Sequence, residues 1–156
     1  MTEDGEIAPD FKLQDDSGAV VQLSKLKGRT LVLYFYPKDD TSGCTLEAKD
    51  FSAAAAQFRK AGADIIGVSP DAVESHRKFK TKHGLGVRLV ADPEKVAANA
   101  YGVWVEKSMY GRKYMGVERA TFLIDGKGRI ARSWRKVKVP GHVDDVLAAV
   151  KTLKKS

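Results

Sequence analysis

Two short runs, Thr30 to Tyr36 (TLVLYFY) and Ala63 to Val68 (ADIIGV), limit the fold more than any other feature of this 156-residue chain. Both are almost wholly apolar and rich in residues that favour extended backbone. A strand with one face in water alternates apolar with polar, so strands that do not alternate are buried on both faces. Between the runs, Cys44 to about Lys60 carries a helical period. Cys44, Ala48, Phe51, Ala55 and Phe58 fall in one narrow stripe at 3.6 residues per turn. Gly62 follows as a stop. A buried strand, a helix and a second buried strand predict a parallel pair joined by a right-handed crossover.

The same alternation continues. Ser69-Pro70 reads as an N-cap followed by proline at the first helical position, opening a helix to about His83. Val87 to Val90 is a short third strand. Asp92-Pro93 opens another helix, ending near Tyr101-Gly102. Ala120 to Ile124 is a strand, Asp125 to Gly128 a turn, and Arg129 to Trp134 a returning strand. Val143 to Leu153 forms a terminal helix. At the start, Phe11 to Leu13 and Val20 to Leu23 flank the turn Asp15-Asp16-Ser17-Gly18, which predicts a hairpin. The whole reads as one α/β domain over residues 1–156, a three-layer sandwich with a mixed central sheet. It resembles a thioredoxin-like sheet with an added N-terminal β-hairpin.

Hydrophobic residues make up 43% and charged residues 30%, an ordinary balance for a packed domain. No apolar run approaches the roughly 18 residues of a membrane span. The acidic opening MTEDGEIAPDF lacks the layout of a signal peptide, so a cytoplasmic location and no membrane partner are expected. The net charge is +7. The charges are scattered, densest over Arg129 to Lys138 and at Lys151, Lys154 and Lys155. No nucleic-acid-binding motif accompanies them, and a solvated basic surface is expected rather than a nucleic-acid partner.

The chain has one cysteine, Cys44. That excludes an intramolecular disulfide and a cysteine-rich metal site. By composition alone such a residue is a small buried hydrophobe. Its position argues otherwise. Cys44 stands where a buried strand passes through a loop into a helix N-terminus, the sheet edge at which open α/β folds bind ligands. Unpaired N–H groups and the positive end of the helix dipole stabilise a thiolate there, and the thiolate is the nucleophile. Thr41, three residues upstream, is placed to cap the helix, or to reach the sulfur or an oxygen bound to it. Pro37 ends the strand, shapes the loop and shields one side of the thiol.

Pro37-Lys38-Asp39-Asp40-Thr41-Ser42-Gly43-Cys44 reads P-x-x-x-T-x-x-C. It closely resembles the active-site motif of the peroxiredoxins. The flanking Leu33 to Lys38 and Gly43 to Ala48 resemble the Q-type branch, also called bacterioferritin comigratory proteins. So do Gly5 to Phe11, Gly102 to Lys107 and Arg119 to Asp125. The resemblance implies a site of Pro37, Thr41, Cys44 and Arg119. Topology supports Arg119 separately. It opens a strand that should run antiparallel to Thr30–Tyr36, which brings its start to the edge carrying Cys44. Tyr36, Trp104 and Phe122 are candidate pocket walls.

The resemblance further implies that the Cys44 thiolate takes an oxygen from hydrogen peroxide or an organic hydroperoxide, becoming a sulfenic acid without metal or organic cofactor. Many Q-type members carry a second cysteine five residues later; here that position is Lys49. The sulfenic acid must then be reduced by an outside thiol: glutathione, thioredoxin or glutaredoxin, or a second Cys44 in an intermolecular disulfide. A monomer or weak dimer is implied. A thioredoxin-type reductase needs C-x-x-C, which Glu47 precludes. A peroxide sensor signalling through Cys44 oxidation shares the first step but does not turn over. His76, His83 and His142 are too dispersed along the chain to suggest a ligand set, although His76 and His83 lie seven apart and can share a helix face.

Overall fold

The computed structural model of the chain describes residues 3–155. Met1 and Thr2 of the acidic opening, Ser156, and the side chain of Lys155 in the basic tail lie outside the described residues. The elements follow in the order β1 (Lys12–Asp15), β2 (Val20–Gln22), a 3-10 turn (Leu23–Leu26), β3 (Thr30–Phe35), α1 (Ser42–Lys60), β4 (Ala63–Ser69), α2 (Val73–His83) and β5 (Arg88–Ala91). Then come α3 (Val96–Ala100), β6 (Trp104–Met109), β7 (Arg112–Val117), β8 (Ala120–Ile124), β9 (Ile130–Trp134) and α4 (His142–Lys155).

Seven strands form one mixed sheet in the order β2-β1-β5-β4-β3-β8-β9. β3, β4 and β5 are parallel, whereas β8 runs antiparallel to β3. The apolar run of β3 is explained by its central place. Val32, Tyr34 and Tyr36 join the core beneath α1, α2 and α4. Leu31, Leu33 and Phe35 join the opposite core with α3 and the segment around Ala8 and Phe11. The period of two divides one strand between two cores, which makes a three-layer, thioredoxin-like arrangement. The N-terminal hairpin is present and pairs with the sheet through β1 and β5.

α1 holds its alanine run, Ala53 to Ala56, in good helix-forming territory and stops at Gly62. Gly62 takes φ 88° and bonds back to the Arg59 carbonyl at 2.9 Å. Two helix starts differ from the sequence reading. α2 begins at Val73 rather than Pro70, because Ser69 Oγ and Asp71 close a side-chain turn of their own. α3 is only five residues long. Asp92 and Pro93 make a turn instead, with Lys95 at φ 57°, and the Asp92 carboxylate accepts from the Ala98 N–H at 2.9 Å. The β6–β7 hairpin was not expected. Its signal is Tyr110-Gly111 between two extended runs; both residues take positive φ, as a tight hairpin turn requires.

Tyr34 lies across Gly67, its partner on β4, and stacks on Phe51 with ring centroids 4.6 Å apart. A methyl group at Gly67 would stand 2.6 Å from the ring. Gly67→Ala is therefore expected to destabilise the fold by about 1–3 kcal/mol, read as a lowered urea midpoint with unchanged slope.

Candidate active site

The register of β3 and β8 assembles the site. Phe35 pairs with Ala120, so Arg119 stands beside Tyr36 at the carboxyl end of β3, where the loop to α1 begins. Leu123 of β8 packs in the core beneath α1, and two-residue alternation carries that face back through Thr121 to Arg119. α1 starts at Ser42, which places Cys44 in its first turn. The first intrahelical bond is that of the Thr45 N–H to the Thr41 carbonyl, 2.8 Å. Helix geometry leaves the N–H groups of Gly43 and Cys44 without an acceptor inside the helix.

Cys44 and Arg119 meet across 75 residues of sequence. Arg119 Nη2 donates to Cys44 Sγ at 3.3 Å, and Nη1 donates to Glu47 Oε1 at 2.7 Å. That contact sets a positive charge directly against the sulfur. The bare backbone at Gly43 leaves room for this approach, since a Cβ there would stand 3.2 Å from Arg119 Nη2. Burial opposes the charge of Arg119, but Glu47 and Cys44 together raise its pKa above the ordinary value.

Glu47 is the residue that sequence reasoning missed. It is fully buried beneath α1, one position from the stripe that carries Cys44 and Ala48. A glutamate at the margin of a buried helical stripe was the available signal. Burial pushes its carboxyl up to about 7, against the pull of Arg119. Its second oxygen, Oε2, has no hydrogen-bond partner.

Thr41 occupies the N-cap position, yet its hydroxyl does not cap the helix. It donates instead to the Lys38 carbonyl at 2.8 Å. A hydroxyl has one proton, so Thr41 Oγ is left as an acceptor toward anything that enters. Pro37 begins the same loop and is half-buried. Tyr36 shares the core cluster of Cys44, whereas Phe122 lies in the opposite cluster. Trp104 is packed against that opposite cluster and carries the Lys95 ammonium over its ring at 5.3 Å. Lys107, half-buried on β6, lies within electrostatic range of both Arg119 and Cys44. Burial, followed by Arg119, lowers its pKa. His142 accompanies Thr121, 2.8 Å from its hydroxyl, and burial lowers it to about 4.

Residues 5–133 match the AhpC/TSA family. The chain belongs to that family. It is similar to the peroxiredoxin Bcp of Bacillus subtilis, 51% identical over 97% of this chain and 96% of that protein. Among solved structures it is similar to a Xanthomonas campestris bacterioferritin comigratory protein studied for alkyl peroxide reduction. That match has a TM-score of 0.88, 46% identity and 92% coverage of both chains. It also superposes on Xylella fastidiosa PrxQ with a TM-score of 0.93, at 38% identity over 98% of both. As a peroxiredoxin of the Bcp/Q branch, the chain is a thiol-dependent peroxidase.

The titration of Glu47 has a definite sign. Its folded value, about 7, lies above its ordinary 4.5, so its contribution to stability is complete below 4.5 and is lost as pH rises through about 7. His142 acts oppositely: with a folded value near 4 against 6.5, its share of stability rises with pH. The informative quantity is the difference between Glu47→Gln and the unaltered chain. The stability of the variant relative to the unaltered chain is expected to grow from pH 4.5 to above pH 7, measured by urea unfolding. Parallel curves would contradict it.

Proposed function

We propose that Cys44 is the peroxide-reactive thiol of a one-cysteine cycle, with Arg119, Thr41 and Pro37 as its setting. The 3.3 Å contact of Arg119 with Cys44 Sγ carries the reading. The thiolate attacks the nearer oxygen of the hydroperoxide in line with the O–O bond. The S–O bond forms as the O–O bond breaks, and two electrons pass from sulfur to the leaving oxygen. That oxygen takes a proton and departs as water or an alcohol, leaving Cys44 sulfenic acid. Arg119 and the N–H of Cys44 donate to the oxygens as charge develops. Thr41 Oγ, its own proton committed to Lys38, accepts from the hydroperoxide O–H. Pro37 fixes the start of the loop. Hydrogen peroxide and alkyl hydroperoxides both fit this chemistry.

Cys44 is the one cysteine in the sequence, and Lys49 is exposed on α1. An external thiol therefore completes the cycle. It displaces water from the sulfenic acid to give a mixed disulfide, which a second thiol releases as a disulfide product. Cys44 is 1% exposed, so the first turn of α1 must yield before a reductant can reach the sulfur. Lys107 near the thiol favours an anionic thiol such as glutathione. Thioredoxin and glutaredoxin are the competing reductants. We place the chain as a single-domain cytoplasmic enzyme, a monomer or weak dimer. Among the described residues, no helix is long and apolar enough to cross a membrane.

Mass spectrometry of peroxide-treated protein tests the cycle. With glutathione, a Cys44 mixed disulfide and multiple turnovers are expected. A single stoichiometric burst with every reductant would favour the sensor reading. Cys44→Ser is expected to abolish peroxide consumption, and retained consumption would remove Cys44 from its role.

A further inference from the structure

The loop that carries Thr41 toward the thiol is gripped from outside the site. Asp39 is buried, and its carboxylate is the centre of the grip. Oδ1 accepts from Tyr36 Oη at 2.6 Å. Oδ2 accepts from Ser75 Oγ at 2.8 Å and faces His76 Nδ1 at 2.7 Å. The other nitrogen of His76, Nε2, lies 2.9 Å from the Val90 carbonyl of β5. Both ring nitrogens thus have partners, and the imidazole ties the loop to β5 through α2. The Asp39 N–H donates to Asp71 at 2.8 Å, and Asp71 is held in turn by Ser69 Oγ at 2.6 Å. Asp40, in the left-handed region at φ 60°, is held by Lys82 Nζ at 2.6 Å and His83 Nε2 at 2.7 Å.

Asp39, Asp71 and His76 bring potential ligand atoms within 4.8 Å of one another. Both carboxylates already accept hydrogen bonds on the facing oxygen, and both imidazole nitrogens are engaged. The cluster is a hydrogen-bonded brace rather than a coordination sphere.

We propose that His76 is a positioning residue for the peroxidase reaction. Acting through Asp39, it fixes the Pro37–Thr41 loop so that Thr41 Oγ presents its lone pairs to the hydroperoxide. His76 is 0% exposed and touches neither the thiol nor its cation. Its effect reaches the reaction only through the loop. With the imidazole cut back, Asp39 loses one of its side-chain partners, and the loop around Lys38 can relax. The bond of the Thr45 N–H to the Thr41 carbonyl preserves the helix start, so the thiol and Arg119 stay together while the Thr41 hydroxyl, anchored on the Lys38 carbonyl, loses its aim. The brace therefore acts on peroxide holding and leaves thiolate formation alone.

The test compares two reactions of the same sulfur in the full-length chain. Oxidation of Cys44 by hydrogen peroxide needs Thr41; alkylation by iodoacetamide needs the thiolate alone. His76→Gln is expected to slow oxidation about ten- to a hundredfold while alkylation changes less than about threefold. In a Thr41→Val background the same substitution is expected to have little further effect on oxidation, because both act through one hydroxyl. Ser75→Ala, which removes a single donor from the same carboxylate, is expected to show the same selectivity at smaller size and stands in should His76→Gln not fold. Equal slowing of both reactions, or effects that multiply with Thr41→Val, would overturn the brace. The inference rests on Cys44 as the peroxide-reactive thiol. Failure of the unaltered chain to consume peroxide would overturn that reading, whereas normal consumption with an unaffected His76→Gln variant overturns the brace alone.

Discussion

Arg119 divides its guanidinium between a sulfur and a carboxylate, and the remainder of the site is arranged around that division. One nitrogen contacts Cys44 Sγ; the other contacts buried Glu47. A cation this enclosed is tolerated only with partners that accept its charge. Glu47 supplies one and holds the fork in orientation, and Cys44 Sγ supplies the other. Burial, working against Arg119, leaves the Glu47 carboxyl near 7, and its Oε1 directs one arm of the fork. Arg119 is thus the group that joins Cys44 to Glu47.

That contact joins two remote pieces of chain, and the sheet brings them together. β3 and β8 run antiparallel at the centre, so the end of one and the start of the other share an edge. The two cores hold this edge from both faces. Gly43 allows the final approach by having no side chain in the path of Arg119. The loop before α1 is then set by a separate group of polar residues on α2. The thiol and its cation belong to the sheet edge, whereas the Thr41 hydroxyl belongs to a loop held from α2 and the turn before it.

Much of this was legible from residues alone. The double-faced burial of Thr30 to Tyr36, the helical stripe from Cys44 and the stop at Gly62 follow from side-chain period and backbone preference, which are local properties. Arg119 could be placed because strand direction follows from connection rules. What escaped notice depends on long-range polar pairing. Glu47 looks like any helical glutamate until Arg119, 72 positions away, is seen to face it. His76 and His83 have their partners in Asp39 and Asp40, on a loop that precedes α2 by more than thirty residues. The Thr41 hydroxyl, placed by its sequence position either to cap the helix or to reach the sulfur or a bound oxygen, does not cap; it donates to the Lys38 carbonyl, a local acceptor three residues earlier.

The account stands or falls on Arg119 acting directly on Cys44. The most direct measurement is the second-order rate of Cys44 oxidation in Arg119→Ala, followed by stopped flow under single-turnover conditions. Glu47 already titrates near 7 and can take a proton when its partner is gone, so the variant is expected to keep its fold. The rate is expected to fall about a hundred- to a thousandfold. A folded Arg119→Ala protein oxidised as fast as the unaltered chain would contradict the account.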